Sequence, residues 1–489
     1  MPLKVIIIGS GVSSLSAASF LAKEGHDVTV IEKNKEIGGR ARKFSAEGFT
    51  FDMGPSWYWM PDVFEDFYKK FNHTTSDFYN LKRLDPSYRV YWKDETHTDL
   101  PANMEALENW FEANEKGSAI KLRAFLKDAQ IKYEIGMQDF VHKPSMSIFE
   151  FANKKVFKGL LNMNLFSSIG KLIRKNFTNE KIIGLLEFPV LFLGAMPNET
   201  PALYSLMNYA DIKLGTWYPE GGMHKFIEAF EQIALENKVK FITDEEVISF
   251  DKVDRKIKYV ITSKASYPAD VIISGADYQH TDKKLLNGHA NYSDKYWDKR
   301  VMAPSCLLFY VGVNKKLKDI QHHNLFFDES LEQHCKEIYK DPKWPSAPLF
   351  YVCAPSVTDS TVAPSGSENL FFLIPIAPDL KDDEETREKY FTILLDRFKQ
   401  KTGNDITENI VYKKSFCIED FKSEYNAFKG NAYGLANTLR QTAILKPSLK
   451  NKNLDNFYYT GQLTVPGPGV PPSIVSGEVV AKYVLKHHS

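Results

Sequence analysis

Two glycines near the start of the chain, Gly9 and Gly11, have the spacing of a turn that binds phosphate, and Glu32 follows them. Gly9 would permit a tight turn and Gly11 would let the backbone approach a pyrophosphate, while Glu32 would accept hydrogen bonds from a ribose diol. In the pattern G-x-G-x-x-G the third glycine is here Ser14, which is nearly as small and whose hydroxyl can bond back to the helix. We therefore predict a working loop that binds the ADP half of a dinucleotide.

The elements around these residues supply the context that such a loop requires. Residues 5–8 are an apolar run typical of a strand buried on both faces, and apolar residues then recur at helical spacing from 12 to 22. Gly25 ends this helix, and residues 26–31 form a second predicted strand with Glu32 at its end. The helix N-terminus, with its free N–H groups and positive dipole end, would then face the phosphate.

A second glycine pair, Gly38 and Gly39, is followed by Arg40 and by FTFDMGPS at 49–56. Adjacent glycines bring the backbone close to a bulky ligand, and Arg40 can neutralise phosphate charge. The series G-x-G…E…G-G-R…D-x-G-P resembles the flavoprotein family that includes amine oxidases, carotenoid desaturases and Rab GDP-dissociation inhibitors. This resemblance implies that the double-glycine segment lies along the pyrophosphate and flavin edge of FAD, and that FAD rather than NAD is the cofactor.

The C-terminal stretch NFYYTGQLTVPGPGVPPSIVSGEVVAKYVL, residues 456–485, has the pattern of a strand, a stiff loop and a helix from about Ser473. It resembles the C-terminal signature of carotenoid desaturases. Together with WYPEGGM at 217–223 and FDMGPSWYWMPDVF at 51–64, it resembles the bacterial phytoene desaturases. The resemblance implies that Gly461 meets the ribityl–phosphate part of FAD, that the backbone of Gly469 and Val470 faces the isoalloxazine, and that Val247 lies against the adenine end.

The residues predicted to bind the cofactor come from both ends and the middle of the chain. They are Gly9, Ser10, Gly11, Ser13, Ser14, Glu32, Lys33, Gly38, Gly39, Arg40, Ala41, Gly54, Pro55, Ser56, Trp57, Val247, Gly461, Gly469 and Val470. No catalytic residue is predicted, because hydride abstraction belongs to the cofactor and several Asp, Glu, Lys and Arg residues remain as candidates for a general base. The aromatic cluster Trp57, Tyr58 and Trp59 would either wall the flavin or polyene tunnel or form part of an ordinary core.

Length and charge restrict the class of protein. A chain of 489 residues is too long for one ordinary core, so we expect two domains. With 62 basic and 62 acidic residues the formal net charge is zero, which gives no support for nucleic acid as a partner. Glycines interrupt the first apolar run, so no signal peptide is expected, and no apolar stretch reaches the roughly 18 residues that span a bilayer.

The cysteines are far apart in the sequence and are predicted to be free, mostly buried thiols in a reducing compartment. They are Cys306, Cys335, Cys353 and Cys417. No metal site is expected, because the pairs at 322–323 and 487–488 have no ligand partners at helical or hairpin spacing; these histidines are predicted to be solvated.

The predicted fold class is α/β, with a discontinuous Rossmann-type FAD-binding domain and an inserted α+β substrate domain that carries a membrane-facing helical region. The FAD-binding domain would comprise residues 1–80, 214–290 and 426–489, and the substrate domain 81–213 and 291–425. A hairpin at 88–92 and 97–100, helices between 103 and 211, and apolar strands at 304–313 and 369–377 are predicted for the substrate domain.

Residues 150–177 combine apolar positions at helical intervals with lysines and arginines, and no acid falls between Lys154 and Lys175. This pattern is typical of a helix on an anionic membrane surface, and the alternative is a helix packed on its own core with a solvated basic face. We predict the membrane surface as a partner, because a polyene substrate dissolves in the bilayer.

The predicted function is FAD-dependent desaturation of a carotenoid, with phytoene as the leading substrate and products up to lycopene. A 3,4-desaturase of a hydroxylated carotenoid is the alternative within this family. A flavin amine oxidase and a non-catalytic prenyl-binding module are the alternatives of other classes. The expected location is cytoplasmic, on the inner face of the cell membrane.

Overall fold

The computed structural model describes residues 1–147, 150, 167–438 and 440–488, without the side chains of residues 138, 139, 192 and 193. Within those residues the strands are β1 (Lys4–Ile8), β2 (Asp27–Ile31), β3 (Lys43–Ala46), β4 (Phe49–Asp52), β5 (Leu81–Arg83), β6 (Tyr88–Trp92), β7 (His97–Leu100), β8 (Trp217–Pro219), β9 (Lys240–Ile242), β10 (Val247–Val253), β11 (Lys256–Thr262), β12 (Ser266–Pro268), β13 (Val271–Ser274), β14 (Ser305–Val313), β15 (His323–Phe327), β16 (Phe350–Cys353), β17 (Glu368–Ile376), β18 (Ile410–Phe416) and β19 (Phe457–Tyr459).

The α-helices of the described residues are α1 (Val12–Lys23), α2 (Pro61–Lys69), α3 (Met104–Asn114), α4 (Ser118–Ile135), α5 (Ile169–Asn176), α6 (Glu180–Glu187), α7 (Leu206–Tyr209), α8 (Lys225–Glu236), α9 (Tyr278–His280), α10 (Asp294–Asp298), α11 (Leu331–Tyr339), α12 (Glu384–Thr402), α13 (Ile418–Tyr425) and α14 (Val470–His488). The helices predicted between 103 and 211 correspond to α3 through α7.

Five parallel strands form one sheet, in the order β19-β13-β1-β2-β9. The last four residues of β1 are buried, as expected for a strand covered on both faces of a parallel sheet. The predicted strands at 5–8 and 26–31 are confirmed as β1 and β2, with ends that differ by one residue. The sheet therefore joins the start, the middle and the end of the chain, and the fold is α/β.

Seven strands form a second sheet, in the order β18-β14-β17-β16-β15-β6-β7, and its pairs are antiparallel except for β15 with β6. The predicted hairpin is confirmed, with Tyr88 opposite Leu100. The predicted apolar strands at 304–313 and 369–377 are β14 and β17, and all nine residues of β14 are buried. The boundaries of the two domains stay a prediction.

Helices α1 and α14 pack closely because Gly477 has no side chain. A Cβ at this position would lie 2.3 Å from the Ser13 carbonyl oxygen and 2.6 Å from Ser16 Cβ. The Ser16 hydroxyl donates a hydrogen bond of 2.8 Å to the Ile474 carbonyl and fixes the register of the two helices. The first and last helices of the chain are thereby held side by side.

The start of α14 differs from the prediction. The helix begins at Val470, three residues before the predicted start near Ser473. Pro471 and Pro472 fall in its first turn, where the N–H group that proline lacks would have no intrahelical partner. The prolines therefore begin the helix instead of delaying it.

Much of the predicted membrane segment, residues 151–166, lies outside the described residues. In its described part, α5 buries Ile169 and Ile173 and exposes Lys171 and Lys175. Arg174 forms ion pairs with acidic residues at the start and end of α6. Within the described residues, none of the helices has both the length and the apolar character needed to cross a bilayer.

Candidate active site

One cavity of about 880 Å³ is lined by residues of both large sheets and by the N-termini of α1 and α14. Every residue predicted to bind the cofactor lines this cavity except Ser14. Five segments that are far apart in the sequence thus meet around one space. The structure gives the positions of these residues, while their binding roles stay predictions.

The turn between β1 and α1 leaves room for a phosphate. Gly9 has a φ of 82°, which favours glycine, and its N–H donates to the Ile31 carbonyl at 2.8 Å. Gly11 lines the cavity, and a Cβ built on it would meet nothing within 4 Å. The N-cap is Gly11, which has no side chain, so the first N–H groups of α1 are not capped by their own residue. These free donors and the empty space fit a bound pyrophosphate.

Ser14 does not line this space. Its side chain is fully buried, and its hydroxyl has no hydrogen-bond partner among the described residues. The expected bond back to the helix is therefore wrong. A Cβ on Gly275, just after β13, would lie 2.0 Å from the Ser14 hydroxyl oxygen. The glycine that permits close packing of helix against strand is thus supplied by β13 instead of by α1.

Glu32 is held in place by four donors from two residues. Its Oε2 accepts the Ser10 N–H and hydroxyl, both at 2.8 Å, and its Oε1 accepts the Asn34 N–H and side-chain amide, both at 3.0 Å. Ser10 also accepts the Gly38 N–H at its carbonyl, at 3.0 Å. The carboxylate is buried and faces the cavity, so its orientation towards a ribose is set before any ligand binds. Ser10 positions this acid and ties it to the second glycine segment.

The double-glycine segment forms a short 3₁₀ turn, Gly39–Ala41, against the first loop. Gly39 has a φ of 56°, and a Cβ on it would lie 3.2 Å from Gly11 Cα. The Arg40 guanidinium lies 5.0 Å from the Tyr425 ring centroid and donates to the Asn431 carbonyl at 3.3 Å.

Arg40 retains unused hydrogen-bonding capacity beside the cavity. Its Nε is buried with no partner among the described residues, and burial lowers the pKa of the guanidinium while Asp277 opposes this shift. A phosphate would satisfy both the free donor and the charge. These residues therefore fit the diphosphate of a dinucleotide.

The aromatic residues at 57–59 divide between the cavity wall and the core, which are the two roles that the sequence left open. Trp57 and Trp59 line the cavity, whereas Tyr58 lies in the core, stacked on Phe64 with ring centroids 4.2 Å apart. Trp57 stacks on His323 at 4.0 Å with an interplanar angle of 11°. Tyr58 forms an isolated antiparallel bridge with Trp217, and around this bridge the two tryptophans point to one side and the tyrosine to the other.

The C-terminal loop lies beside the start of α1, since a Cβ on Gly461 would lie 3.2 Å from the Ser13 hydroxyl oxygen. Gly461 has a φ of 105°, and its N–H donates to the Ser476 hydroxyl at 3.0 Å. Gly469 has a φ of 109° and directly precedes α14, whose first residue Val470 also lines the cavity. The N-termini of α1 and α14 therefore converge on the same space, and both contribute positive dipole ends.

The remainder of the cavity is strongly apolar and comes from α11, the second sheet and the helices before β8. The residues that line it there include Phe188, Leu191, Leu206, Met207, Leu308, Leu325, Phe327, Leu331, Cys335, Ile338, Leu349, Phe371 and Leu373. The sequence analysis assigned none of them, because the strands and helices that carry them look like ordinary core elements.

His334 is the titratable imidazole at this apolar end, and both of its ring nitrogens are engaged. Nδ1 accepts the Leu349 N–H at 3.0 Å, so Nε2 donates to the Pro375 carbonyl at 2.8 Å. Burial lowers the pKa of His334 to about 4. The side chain is therefore a neutral structural link between α11 and the sheet, and it has no free nitrogen with which to accept a proton.

The sequence analysis also missed polar residues that support the site. Asp277 follows β13, lies near Arg40, and accepts backbone N–H groups from Gln279, His280 and Phe428. Tyr351 lines the cavity and donates to the Ser56 hydroxyl at 3.1 Å. For Asp277, the small residues that end the preceding strand were a signal in the sequence. For Tyr351, no local pattern marked a role in the site.

The prediction that the four cysteines are free and buried is confirmed, while the reducing compartment stays a prediction. The prediction that the histidines at 322–323 are solvated is wrong. His322 is 3% exposed and His323 is fully buried, because β15 begins inside the second sheet and Trp57 covers its start. His487 is exposed, as predicted.

Comparison with known proteins identifies relatives along the whole chain. Residues 13–485 match the family model of flavin containing amine oxidoreductases. The chain is 37% identical over 487 residues to the carotenoid 3,4-desaturase of Haloarcula japonica, covering 99% of this chain and 98% of that protein. It is 30% identical to the 4,4'-diapophytoene desaturase of Staphylococcus haemolyticus and 27% identical to the zeta-carotene-forming phytoene desaturase of Myxococcus xanthus. These cover 99% of this chain and 98% and 94% of those proteins.

Solved structures share the fold at low sequence identity. An oxidoreductase from Methanosarcina mazei aligns with a TM-score of 0.67 and 17% identity, covering 98% of this chain and all of that one. Cyclohexylamine oxidase from Brevibacterium oxydans aligns with a TM-score of 0.59 and 15% identity, covering 99% of this chain and all of that one. The dinucleotide-shaped site, the family match and these relatives lead to one conclusion: the chain belongs to the flavin containing amine oxidoreductase family and is an oxidoreductase with FAD as its cofactor.

Proposed function

We propose that this protein is an FAD-dependent carotenoid desaturase that removes two hydrogens from a CH–CH unit beside a conjugated polyene. The observation that carries the proposal is the continuity of one cavity, which has a phosphate-binding end and a long apolar end. The curated relatives support it, because they are desaturases of carotenoids. The hydrocarbon chain of a carotenoid offers no polar group, so apolar lining is the recognition it requires.

The residues at the polar end would hold the cofactor. The free N–H groups at the start of α1 and the Arg40 side chain would bind the pyrophosphate, and Glu32 would bind the ribose. FAD, when bound, supplies the hydride acceptor for CH–CH desaturation.

The protein's own contribution at the apolar end is positioning and exclusion of water. Phe188 packs against both Trp57 and Phe327, with ring centroids 5.4 Å and 5.8 Å apart, and all three side chains line the cavity. His334 stays neutral and bonded. Such a wall aligns an extended polyene and keeps water from the reacting carbons.

Phytoene and a hydroxylated carotenoid are the two candidate substrates. Phytoene is favoured by the motif at 51–64 that resembles phytoene desaturases. A hydroxylated carotenoid is favoured by the 37% identity to a carotenoid 3,4-desaturase, against 27% to a phytoene desaturase. Both substrates share the apolar chain that the cavity fits.

We also propose that the protein lies on the inner face of the cytoplasmic membrane through residues 150–177, since its substrate is held in the bilayer. The alternation of apolar and basic residues in this segment supports the proposal. Co-sedimentation with anionic vesicles, but not with neutral ones, is the expected result. Equal binding to both would contradict the electrostatic part of the proposal.

The experiment that tests the function uses purified protein with FAD and vesicles that contain phytoene, followed by chromatography of the products. A parallel sample contains a hydroxylated carotenoid. Products with longer conjugated systems establish desaturation, and the sample that yields them identifies the substrate. Unchanged carotenoids in both samples, with FAD bound to the protein, would overturn the proposal. Oxidation of an amine by the same protein would instead support a flavin amine oxidase.

A further inference from the structure

Three buried side chains with metal-binding atoms lie together at the start of β15 and the end of β16. His322, His323 and Cys353 each offer one donor atom, and these atoms lie within 4.8 Å of one another. The antiparallel pairing of β15 with β16 places His323 opposite Cys353, and His322 directly precedes the strand. The three residues are 3%, 0% and 5% exposed.

Both imidazoles have one nitrogen fixed and one nitrogen free. His322 Nδ1 is 2.6 Å from the Thr358 hydroxyl, and His323 Nδ1 is 2.7 Å from the Tyr351 hydroxyl. The two Nε2 atoms are buried and have no hydrogen-bond partner among the described residues. Leaving a buried polar nitrogen without a partner costs about 1–3 kcal/mol, so two of them on rings whose centroids lie 4.5 Å apart call for an explanation. A histidine with Nδ1 held by a neighbour and Nε2 free is the usual arrangement of a metal ligand.

A small cavity of about 20 Å³ adjoins His322 and Cys353. It is separate from the large cavity, and Asp52 also lines it. Its volume has room for one water molecule. The cluster therefore offers two nitrogen donors, one sulfur donor and space for a fourth ligand.

We propose that His322, His323 and Cys353 bind one zinc ion through the two Nε2 atoms and Sγ, with a water molecule as the fourth ligand. Two imidazoles and one thiolate are a donor set that zinc accepts in tetrahedral sites. The Cys353 thiol loses its proton to solvent as the sulfur–zinc bond forms, and both histidines bind as neutral groups. The ion leaves one positive charge on the site, and the Asp52 carboxylate beside the cavity partly offsets it.

The proposed ion would stabilise the wall of the large cavity. The His323 ring stacks face to face on Trp57, and Trp57 lines the large cavity. Zinc on Nε2 and Tyr351 on Nδ1 would fix both edges of the ring that supports this tryptophan. The role proposed for the ion is to support Trp57, and it goes beyond the proposed desaturation because it involves no carotenoid.

The test is the metal content of the full-length, FAD-loaded protein produced in medium supplemented with zinc. Elemental analysis is expected to show about one zinc per chain. X-ray absorption at the zinc edge is expected to show one sulfur and nitrogen neighbours, and FAD does not interfere with this measurement. Cys353→Ser and His322→Gln are expected to lose the ion. Cys417→Ser, at a buried cysteine outside the cluster, is the matched control and is expected to keep it.

A further variant keeps all three metal ligands, so the test stays valid if Cys353→Ser and His322→Gln fold poorly. Thr358→Val removes only the hydroxyl that holds His322, and it is expected to weaken zinc binding roughly 10- to 100-fold with FAD content unchanged. Absence of zinc from the wild-type protein overturns the proposal. Zinc that is retained in Cys353→Ser, or copper that is bound in place of zinc, would also overturn it.

Discussion

Ser14 and Gly275 share one space the size of a Cβ atom, since a methyl group on Gly275 would lie 2.0 Å from the Ser14 hydroxyl oxygen. The serine that replaces the third glycine of the loop is accommodated because the strand opposite carries a glycine. The hydroxyl has no partner there, so the contact is steric. The two residues are therefore expected to tolerate substitution only together.

Gly275→Ala is expected to lower the free energy of unfolding by about 1–3 kcal/mol, because the added methyl group overpacks the contact of α1 with β13. Ser14→Gly in the same chain should restore most of this loss. Urea denaturation of both single variants and the double variant measures the coupling, which we expect to exceed about 0.5 kcal/mol. Additive effects of the two substitutions would show that the residues do not share the space.

Arg40 and Arg42 form a matched pair, since their guanidinium groups lie 5.0 Å and 5.3 Å from the same Tyr425 ring. Arg40→Met should weaken FAD binding roughly 10- to 100-fold, because a hydrogen bond to a charged group contributes about 1.5–3 kcal/mol. Its effect on the stability of the FAD-free protein should be smaller than that of Arg42→Met, because Arg40 makes only a long hydrogen bond of 3.3 Å to the Asn431 carbonyl and its Nε has no partner among the described residues. FAD titration by fluorescence and urea denaturation measure the two effects.

Arg42→Met is expected to behave in the opposite way. Arg42 forms an ion pair of 2.8 Å with Glu424 and donates to the Gly39 carbonyl, so its loss should destabilise the FAD-free protein by about 1 kcal/mol. Its effect on FAD affinity should be the smaller of the two. Equal losses of affinity in both variants would contradict a specific role for Arg40.

Asp211 makes stability depend on pH. Burial raises the pKa of Asp211 to about 7, and hydrogen bonds from Tyr88 and Thr216 with the charge of Arg83 counteract only part of this shift. The folded state then binds more protons than the unfolded state between about pH 4 and about pH 7, so the free energy of unfolding falls as pH rises through this range. Asp211→Asn should flatten the profile, measured by urea denaturation at several pH values. Parallel profiles for the two proteins would exclude this origin.

Cys335 on α11 lines the apolar end of the cavity and is 4% exposed. Cys335→Trp should fill space that the polyene needs, so carotenoid turnover should fall at least tenfold while FAD binding is retained. Product chromatography and the flavin absorption spectrum measure these separately. Cys335→Ser keeps the volume, and it should retain more turnover than the tryptophan variant. Full turnover by Cys335→Trp would place the substrate elsewhere.

The phosphate loop and its sheet could be predicted because their signals are local. Gly9, Gly11 and the apolar run before them determine a turn and a buried strand within a few residues. The turn at Gly461 and the loop before α14 could also be predicted from local residues, although Pro471 and Pro472 were wrongly placed before the helix.

The contacts that complete the site depend on pairings between distant segments. Gly275 faces Ser14 only because β13 lies beside β1, and His323 reaches Trp57 only because β15 pairs with β6 and β16. No spacing in the sequence marks either contact. For the same reason the histidines at 322–323 could not be recognised as buried.

The packing of α14 against α1 through Gly477 has a consequence for biosynthesis. The first and the last helix of the described chain line the cofactor site side by side, with more than 400 residues between them. A ribosome-bound chain that has not yet released α14 therefore has only half of the site. FAD binding is therefore expected only once α14 has been made, so it reports that the segments around α1 and α14 are folded and in contact.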